Sequence, residues 1–198
     1  MRVFVALNID EEIRNQIQQF VEKVRGFAPD ARWLTPDSLH ITLKFIGEKP
    51  DNLVKTIEAS LSSVTVPPFR IAFTGTGFFP TPRSARVFWI GIDAQPGLAQ
   101  LASKAEDSLV SLGIPKEERA FSPHLTLARA SGASGAPSRR KGDKPNLQFA
   151  QVQEHLTKFP PQDFGTMTAH EFYLYRSQVS SKGARYTKIA RFALSSIS

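Results

Sequence analysis

Two short segments of the chain carry the same pattern, a histidine followed two places later by a threonine and then a leucine. The segments are "SLHITLKF" (38–45) and "SPHLTLAR" (122–129). Side chains alternate between the two faces of a strand, so the histidine and threonine share one face and the leucines the other. Each segment therefore predicts a strand that presents an imidazole and a hydroxyl while its opposite face is anchored in a core.

The two motifs lie in one repeat register of 84 residues. Without a gap, both histidines, both threonines and the following leucines align with each other. In the same register, "RVF" at 2–4 aligns with a second "RVF" at 86–88. Several matches in one register predict two halves related by a pseudo-twofold axis, with the two His-Thr pairs facing each other across a cleft.

Hydrophobic periodicity predicts strands that alternate with helices along the whole chain. We expect strands at 2–9, 39–47, 69–79, 86–92, 121–129, 164–177 and 184–194, and helices at 11–27, 51–64, 97–114 and 147–158. This order is typical of an α+β fold with largely antiparallel sheets. We therefore predict a single domain over 1–198, with repeat units of approximately 1–80 and 84–177 and a last strand at 184–194.

The repeated residues suit acid–base chemistry at a phosphodiester. The unperturbed pKa of imidazole is about 6.5, so His40 and His124 can exchange protons near neutral pH, one as acid and one as base. Thr42 and Thr126, with backbone N–H groups, can donate to the non-bridging oxygens that gain charge in the transition state. The chemistry that fits is an in-line displacement at phosphorus.

The other polar residues give little support for a metal site or a cofactor. The chain has no cysteine, and it lacks a His-Glu-x-x-His segment. A single histidine on a strand is more often structural than catalytic, so the repeat is what favours His40 and His124. His155 and His170 lack the repeat and are interpreted as structural or surface residues. We predict no metal and no cofactor.

Charge and the N-terminal sequence bear on partners and location. The 25 Lys and Arg residues outnumber the 18 Asp and Glu residues, which gives a net charge of +7 and favours a polyanionic partner such as nucleic acid. The segment "MRVFVALNID" lacks the apolar core and cleavage site of a signal peptide, and no segment approaches the length of a membrane span. We expect a cytoplasmic protein that does not bind membranes.

With these motifs and their flanks, the sequence resembles the two-histidine (2H) phosphoesterase superfamily, in particular the RNA 2′,3′-cyclic phosphodiesterases, also called 2′-5′ RNA ligases. The resemblance covers nearly the whole chain, including "WLTPDSLHITLKFIGE" (33–48), "GFFPTPRSARVFWIGI" (77–92) and "FYLYRSQVSSKGARYTKIARFAL" (172–194). It implies a bilobal fold with a central cleft. It also implies hydrolysis of a terminal 2′,3′-cyclic phosphate on RNA to a 2′-phosphate without metal or ATP, with 2′-5′ ligation as a related activity.

The resemblance further implies a role for each motif residue. His40 would be the general acid that protonates the departing 3′-oxygen, and His124 the general base that activates water. Thr42 and Thr126 would bind the phosphate oxygens. The motifs are near copies, so the sequence itself does not decide which histidine is the acid. The expected partners are RNA ends, tRNA-like or other, and the expected state is a monomer.

Four residues outside the motif positions are weaker candidates. By resemblance Arg129 would help to hold phosphate, but strict alternation places it on the face opposite His124 unless the strand twists or bulges. The same alternation places Lys44 on the face of His40, where it would add positive potential; a solvated lysine is the alternative. Phe78 and Phe79 are candidates for base stacking, with a core position as the alternative for each.

Other functions fit the same residues. A related enzyme could act on small cyclic nucleotides or 2′-5′ oligoadenylate, and a non-catalytic module could bind RNA or nucleotides. A metal-dependent hydrolase is a third alternative. Intact His-Thr pairs in both motifs favour an active enzyme. The basic segment "SRRKGDK" (138–144) could follow RNA phosphates or be a solvated loop.

Overall fold

The computed structural model describes residues 1–132, 145–180 and 183–196, and the basic segment 138–144 lies outside them. In these ranges the chain forms nine strands, β1 (Arg2–Asn8), β2 (Arg32–Trp33), β3 (His40–Glu48), β4 (Phe69–Phe79), β5 (Val87–Asp93), β6 (His124–Arg129), β7 (Asp163–Ala169), β8 (Glu171–Ser180) and β9 (Gly183–Ala193). The helices are α1 (Glu11–Val24), α2 (Asp51–Leu61), α3 (Gly97–Val110) and α4 (Ala150–Leu156), with 3₁₀ turns at Arg25–Phe27 and Pro36–Ser38. Of the helices described, none is long and apolar enough to cross a lipid bilayer.

The strands form two sheets with equivalent strand orders. In both sheets, the strand with the His-Thr motif pairs with the first strand of its own half, which pairs in turn with a strand from the other half. The first sheet runs β3-β1-β8-β9, and the second runs β6-β5-β4-β7 with the short β2 added beside β6. The pairings between these strands are antiparallel. The predicted α+β class with largely antiparallel sheets is confirmed. We propose that the chain is one bilobal domain built from two repeat units, an arrangement that the matching strand orders support.

Each half contributes a strand to the sheet of the other half. β4, which ends the first half, pairs with β5 and β7, whereas β8 from the second half pairs with β1. The prediction of one strand over 164–177 is wrong, because β7 ends at Ala169 in one sheet and β8 begins at Glu171 in the other. Hydrophobic alternation continues through this crossing, so the pattern alone does not reveal it.

The helices cover the outer faces of the sheets with apolar stripes. In α1 the buried residues are Ile13, Ile17, Phe20 and Val24, at the three- and four-residue spacing of one helical face. They join a hydrophobic core to which strands of both sheets contribute, in the part of the chain described. Full burial of each such side chain contributes about 1.5–3 kcal/mol. A smaller cluster of Phe4, Ala6, Tyr173 and Tyr175 occupies the other face of β1 and β8.

A β-bulge interrupts β3 directly after its His-Thr pair. Ala6 of β1 pairs with Thr42, and the adjacent Val5 pairs with Lys44, so Leu43 is left as an extra residue. Beyond a bulge the alternation of side chains reverses. Phe45 therefore lies on the face of His40.

β6 has a bulge at the equivalent place. Thr126 pairs with Trp89 and Ala128 pairs with Phe88, which leaves Leu127 as the extra residue. Leu127 and Ala128 are both buried, and Arg129 returns to the exposed face of the strand. The bulge therefore brings Arg129 onto the face that carries the second histidine.

Lys44 does not lie beside His40, and the prediction that it adds potential to that face is wrong. The bulge turns its side chain into the protein, where it is 3% exposed. Its ammonium group lies 2.9 Å from Glu106 Oε1 and 3.4 Å from Glu117 Oε1, and it donates to the Pro115 carbonyl at 2.7 Å. Lys44 therefore fastens β3 to α3 and to the loop that precedes β6.

The two "RVF" segments are not structurally equivalent. Phe4 pairs with Phe45 on the site face of β1, whereas Val87 pairs with Arg129 on the site face of β5. Phe88 instead lies in the core. When the two motif strands are aligned, Phe4 therefore corresponds to Val87 and not to Phe88. The match between the two "RVF" segments is displaced by one residue, so it is wrong as evidence for the repeat.

Candidate active site

The two motif strands lie against each other and bring the histidines into one electrostatic environment. β3 contacts β6, and each histidine is the first residue of its strand. The charge of Arg129 lowers the pKa of both His40 and His124, and the charge of His124 lowers that of His40. The two His-Thr strands, predicted to face a common cleft, therefore share one site with Arg129.

A backbone carbonyl two residues earlier in the chain orients each imidazole. His40 Nδ1 lies 2.7 Å from the Ser38 carbonyl oxygen, and His124 Nδ1 lies 2.8 Å from the Ser122 carbonyl oxygen. A carbonyl oxygen only accepts hydrogen bonds, so each Nδ1 carries a proton and donates it. In both rings this leaves Nε2 as the atom that can take up or release a proton.

Burial weakens the basicity of both imidazoles. Loss of solvation lowers the pKa of His40 to about 4; the hydrogen bond to Ser38 opposes this, and the charges of Arg129 and His124 each add a smaller lowering. Burial likewise lowers the pKa of His124, and Arg129 adds to this. In the free protein near pH 7, both Nε2 atoms are therefore unprotonated.

Aromatic rings from distant parts of the chain enclose His40. The Phe4 ring is centred 4.9 Å from its imidazole, and Tyr186 packs edge-on at the same centroid distance. Tyr175 lies 6.0 Å away and stacks on Phe4. The sequence analysis missed Phe4, Tyr175 and Tyr186. The aromatic residues of β1, β8 and β9 were visible in the sequence. Their distances from His40 depend on the order of the strands in the sheet, which the sequence pattern does not give.

The predicted phosphate-binding residues lie on the face of the histidines. Thr42 and Thr126 are each two residues beyond a histidine and are half-buried, as is Arg129. Arg129 loses solvation, which lowers its pKa; the phenol of Tyr186 raises it, and neighbouring Arg32 lowers it further. An arginine stays protonated in such a setting, so the group keeps a positive charge beside both imidazoles.

The two candidate stacking residues have different surroundings. The Phe79 ring meets the His124 imidazole edge-on at 5.0 Å and also contacts Trp89. The Phe78 ring instead stacks on Phe88 at 4.8 Å and contacts Phe149 at 5.8 Å, both in the core. Phe79 is thus brought to the site, and Phe78 is not.

Phe45 is a further residue that the sequence analysis missed. Its side chain is 55% exposed, and its ring is centred 6.1 Å from that of Phe4, which in turn contacts His40. Phe45 follows His40 by five residues, as Arg129 follows His124. The bulge was the missing information, because strict alternation places Phe45 on the other face.

His155, which lies outside the two motifs, has aromatic neighbours. His155 packs between the rings of Phe27 and Phe159 at 4.4 and 4.9 Å, consistent with a structural position. Over residues 1–132, 145–180 and 183–196, no group of three or more His, Cys, Asp or Glu side chains is placed to hold a metal ion.

Known proteins share both the sequence and the fold. A protein named RNA 2′,3′-cyclic phosphodiesterase from Archaeoglobus fulgidus is 33% identical over 97% of this chain and 99% of its own length. One of the same name from Methanothermobacter thermautotrophicus is 28% identical over 98% and 99%. A solved structure from Thermus thermophilus has a TM-score of 0.75 at 30% identity, covering 98% of both chains. E. coli LigT complexed with 3′-AMP has a TM-score of 0.74 at 28% identity, covering 98% of this chain and 97% of that one.

The family comparison agrees with the two-part organisation of the sheets. The model of the LigT like phosphoesterase family matches the chain twice, over residues 7–89 and 90–186. Each match contains one of the His-x-Thr motifs. With near full-length relatives and the same fold, the resemblance and the enzyme class predicted from the sequence are confirmed: the chain belongs to the LigT like phosphoesterases, the two-histidine enzymes.

Proposed function

We propose that this phosphoesterase hydrolyses a terminal 2′,3′-cyclic phosphate on RNA to a 2′-phosphate, using His40 and His124 and no metal ion. The observation that carries the proposal is the matched pair of Nδ1–H bonds to Ser38 and Ser122, which leaves two Nε2 atoms for proton transfer in one site. The names of the relatives and the net charge of +7 support RNA as the substrate. The cytoplasmic location and the monomeric state stay predictions from the sequence.

The two imidazoles would divide the proton transfers between them. His124 Nε2 accepts a proton from water as the water oxygen forms a bond to phosphorus. The bond from phosphorus to the 3′-oxygen breaks, and His40 Nε2 donates a proton to that oxygen, which leaves a 2′-phosphate and a 3′-hydroxyl. This assignment of acid and base rests on the family resemblance. An RNA 5′-hydroxyl in place of water gives a 2′-5′ linkage by the same steps.

Three groups on the same face would hold the phosphate. The hydroxyls of Thr42 and Thr126 and the guanidinium of Arg129 are donors for its non-bridging oxygens. These oxygens gain negative charge as the transition state forms, and fixed donors in a partly desolvated site stabilise that charge strongly. Arg129 can donate two parallel hydrogen bonds, which also fixes the orientation of the phosphate.

Because the pKa of His40 is lowered in the free protein, substrate binding must change its protonation state before it can act as an acid. A base must be unprotonated, which suits His124 as it stands in the free protein. An acid must carry a proton, yet burial holds the pKa of His40 at about 4. A bound phosphate places negative charge beside His40 and offsets the positive charge of Arg129, and both effects raise the pKa of His40.

Small nucleotides are a second substrate class that one observation favours. E. coli LigT has been solved with 3′-AMP, so a relative with the same fold accepts a single nucleotide. Cyclic mononucleotides or 2′-5′ oligoadenylate would meet the same histidines and threonines. Relative kcat/KM values for cyclic mononucleotides, 2′-5′ oligoadenylate and RNA ends separate these possibilities.

Loss of either histidine should abolish turnover, whereas chelation should not affect it. We expect His40→Ala and His124→Ala each to lower kcat by about 10²- to 10⁴-fold, the usual size of a general acid or base contribution. The assay uses an oligonucleotide with a 2′,3′-cyclic phosphate end in EDTA, with His155→Ala as the control at normal activity. Full activity in either His40→Ala or His124→Ala contradicts the proposal. Loss of activity in EDTA favours a metal-dependent hydrolase. Tight RNA binding without turnover favours a non-catalytic module.

The protonation of His40 should depend on bound phosphate. In ¹⁵N NMR titrations of the free protein, we expect His40 Nε2 to stay unprotonated at pH 7 and to titrate near pH 4, because burial opposes its charged form. Addition of a 2′-nucleotide should raise this pKa. A His40 pKa near 6.5 in the free protein, or no change on ligand binding, contradicts the account of the acid.

Phe45 should act as the surface on which the terminal base stacks. Stacking on an aromatic side chain is worth about 1–3 kcal/mol per base, so Phe45→Ala should raise KM by about 5- to 150-fold, and Phe45→Trp should preserve it. Phe159→Ala is the matched control, because Phe159 is similarly exposed at 52% but contacts His155. An unchanged KM in Phe45→Ala would remove this role and leave Phe79, one of the two residues predicted from the sequence, as the stacking candidate.

A further inference from the structure

A cavity of about 570 Å³ adjoins the His40 side of the site. Tyr175 and Tyr186 form part of its wall, and their rings are centred 6.0 and 4.9 Å from the imidazole of His40. Asn8, the partner of His40 across β1 and β3, also lines the cavity. A ligand held at His40 can therefore extend into this cavity without passing the His124 side.

Basic side chains from two elements converge on the cavity. Arg14 comes from α1, and Arg185 and Lys188 come from β9. The carboxylates of Glu11 and Asp37 also line it, so cations outnumber anions by three to two in its wall. The cationic majority suits an anion, while the carboxylates are acceptors for hydroxyl or amino groups next to that anion.

Arg14 is held in place by uncharged acceptors. Its guanidinium donates to Asn8 Oδ1 at 3.0 Å, to the Ile9 carbonyl at 3.1 Å and to the Pro36 carbonyl. These bonds fix the group without neutralising its charge. A positioned cation of this kind loses little side-chain entropy when it binds a phosphate.

Lys188 lies within the electrostatic influence of Arg14. Its ammonium group stands 4.2 Å over the ring of Tyr173. Burial lowers the pKa of Lys188, the charge of Glu171 opposes this effect, and the charge of Arg14 adds a smaller lowering. Arg14 and Lys188 therefore both bring positive charge to the wall of the cavity, which suits a bound anion.

We propose that this cavity binds the internucleotide phosphate that precedes the terminal cyclic phosphate of an RNA 3′ end. The inference rests on the proposed function, because the departing 3′-oxygen then lies at His40 and its ribose lies on the same side. The RNA chain continues from that ribose through its 5′-oxygen to the preceding phosphate. The chain thus leaves the site on the side where Arg14, Arg185 and Lys188 are placed, while water enters beside His124.

A substrate with this phosphate should bind more tightly than one without it. The test compares KM for a cyclic mononucleotide, a dinucleotide ending in the same cyclic nucleotide, and that dinucleotide with a neutral methylphosphonate linkage. We expect the natural dinucleotide to have a KM about 3- to 10-fold lower than the other two, because partly exposed ion pairs with a phosphate are individually weak.

The variants Arg185→Gln and Lys188→Gln, combined in one protein, should reduce this advantage of the natural dinucleotide, because only Arg14 of the three cations remains. Both side chains are exposed, so the double variant should fold normally. Lys55→Gln, an exposed lysine on α2 outside the cavity wall, is the charge-matched control and should retain the advantage.

The outcomes separate this inference from the proposed function. Equal KM values for the three substrates in the unmodified protein, or an advantage that is undiminished in the double variant, would overturn the phosphate site while leaving the hydrolase intact. An advantage shared by the methylphosphonate substrate would also overturn it, because the neutral linkage removes the charge that Arg14, Arg185 and Lys188 recognise. Absence of turnover with all three substrates would instead count against the proposed function.

Discussion

Two β-bulges, at Leu43 and Leu127, are the constraint on which the site depends. On a regular strand the residue five places after each histidine would point into the core, and an unpaired arginine buried there would cost several kcal/mol. Each bulge adds one residue and reverses the alternation, so that Phe45 and Arg129 join the His-Thr face while both leucines stay buried. A short strand can then present three side chains to one ligand without giving up its core contacts.

The two halves use the same backbone device for different side chains. After the bulge, the first strand has Lys44 and Phe45, and the second has Ala128 and Arg129. The buried member is a lysine paired with two glutamates in one half and a small apolar residue in the other. The exposed members are an aromatic ring and a guanidinium. A pseudo-symmetric backbone thus yields an asymmetric site. Phe45 gives one side an aromatic surface suited to a nucleobase, and Arg129 gives the other side a cation suited to a phosphate.

The sequence was most informative where the signal is local. The two-residue period of the strands placed His40 with Thr42 and His124 with Thr126, and the 84-residue repeat linked the pairs. The bulges were not predictable, because each depends on hydrogen bonds to a neighbouring strand, and this is why Lys44 was misplaced. Two further features depend on the order of the strands in the sheets, which the residue pattern of a single strand does not reveal. They are the crossing of the chain between β7 and β8 and the packing of Tyr175 and Tyr186 on His40.

In the proposed reaction, the bond from phosphorus to the 3′-oxygen of the cyclic phosphate breaks while the bond to the 2′-oxygen is kept. The product of an RNA 2′,3′-cyclic phosphate hydrolysed in ¹⁸O-labelled water, identified by ³¹P NMR and mass spectrometry, tests this directly. The account predicts a 2′-phosphate that carries one ¹⁸O atom and a 3′-hydroxyl that carries none. A 3′-phosphate, or a mixture of the two isomers, would contradict it.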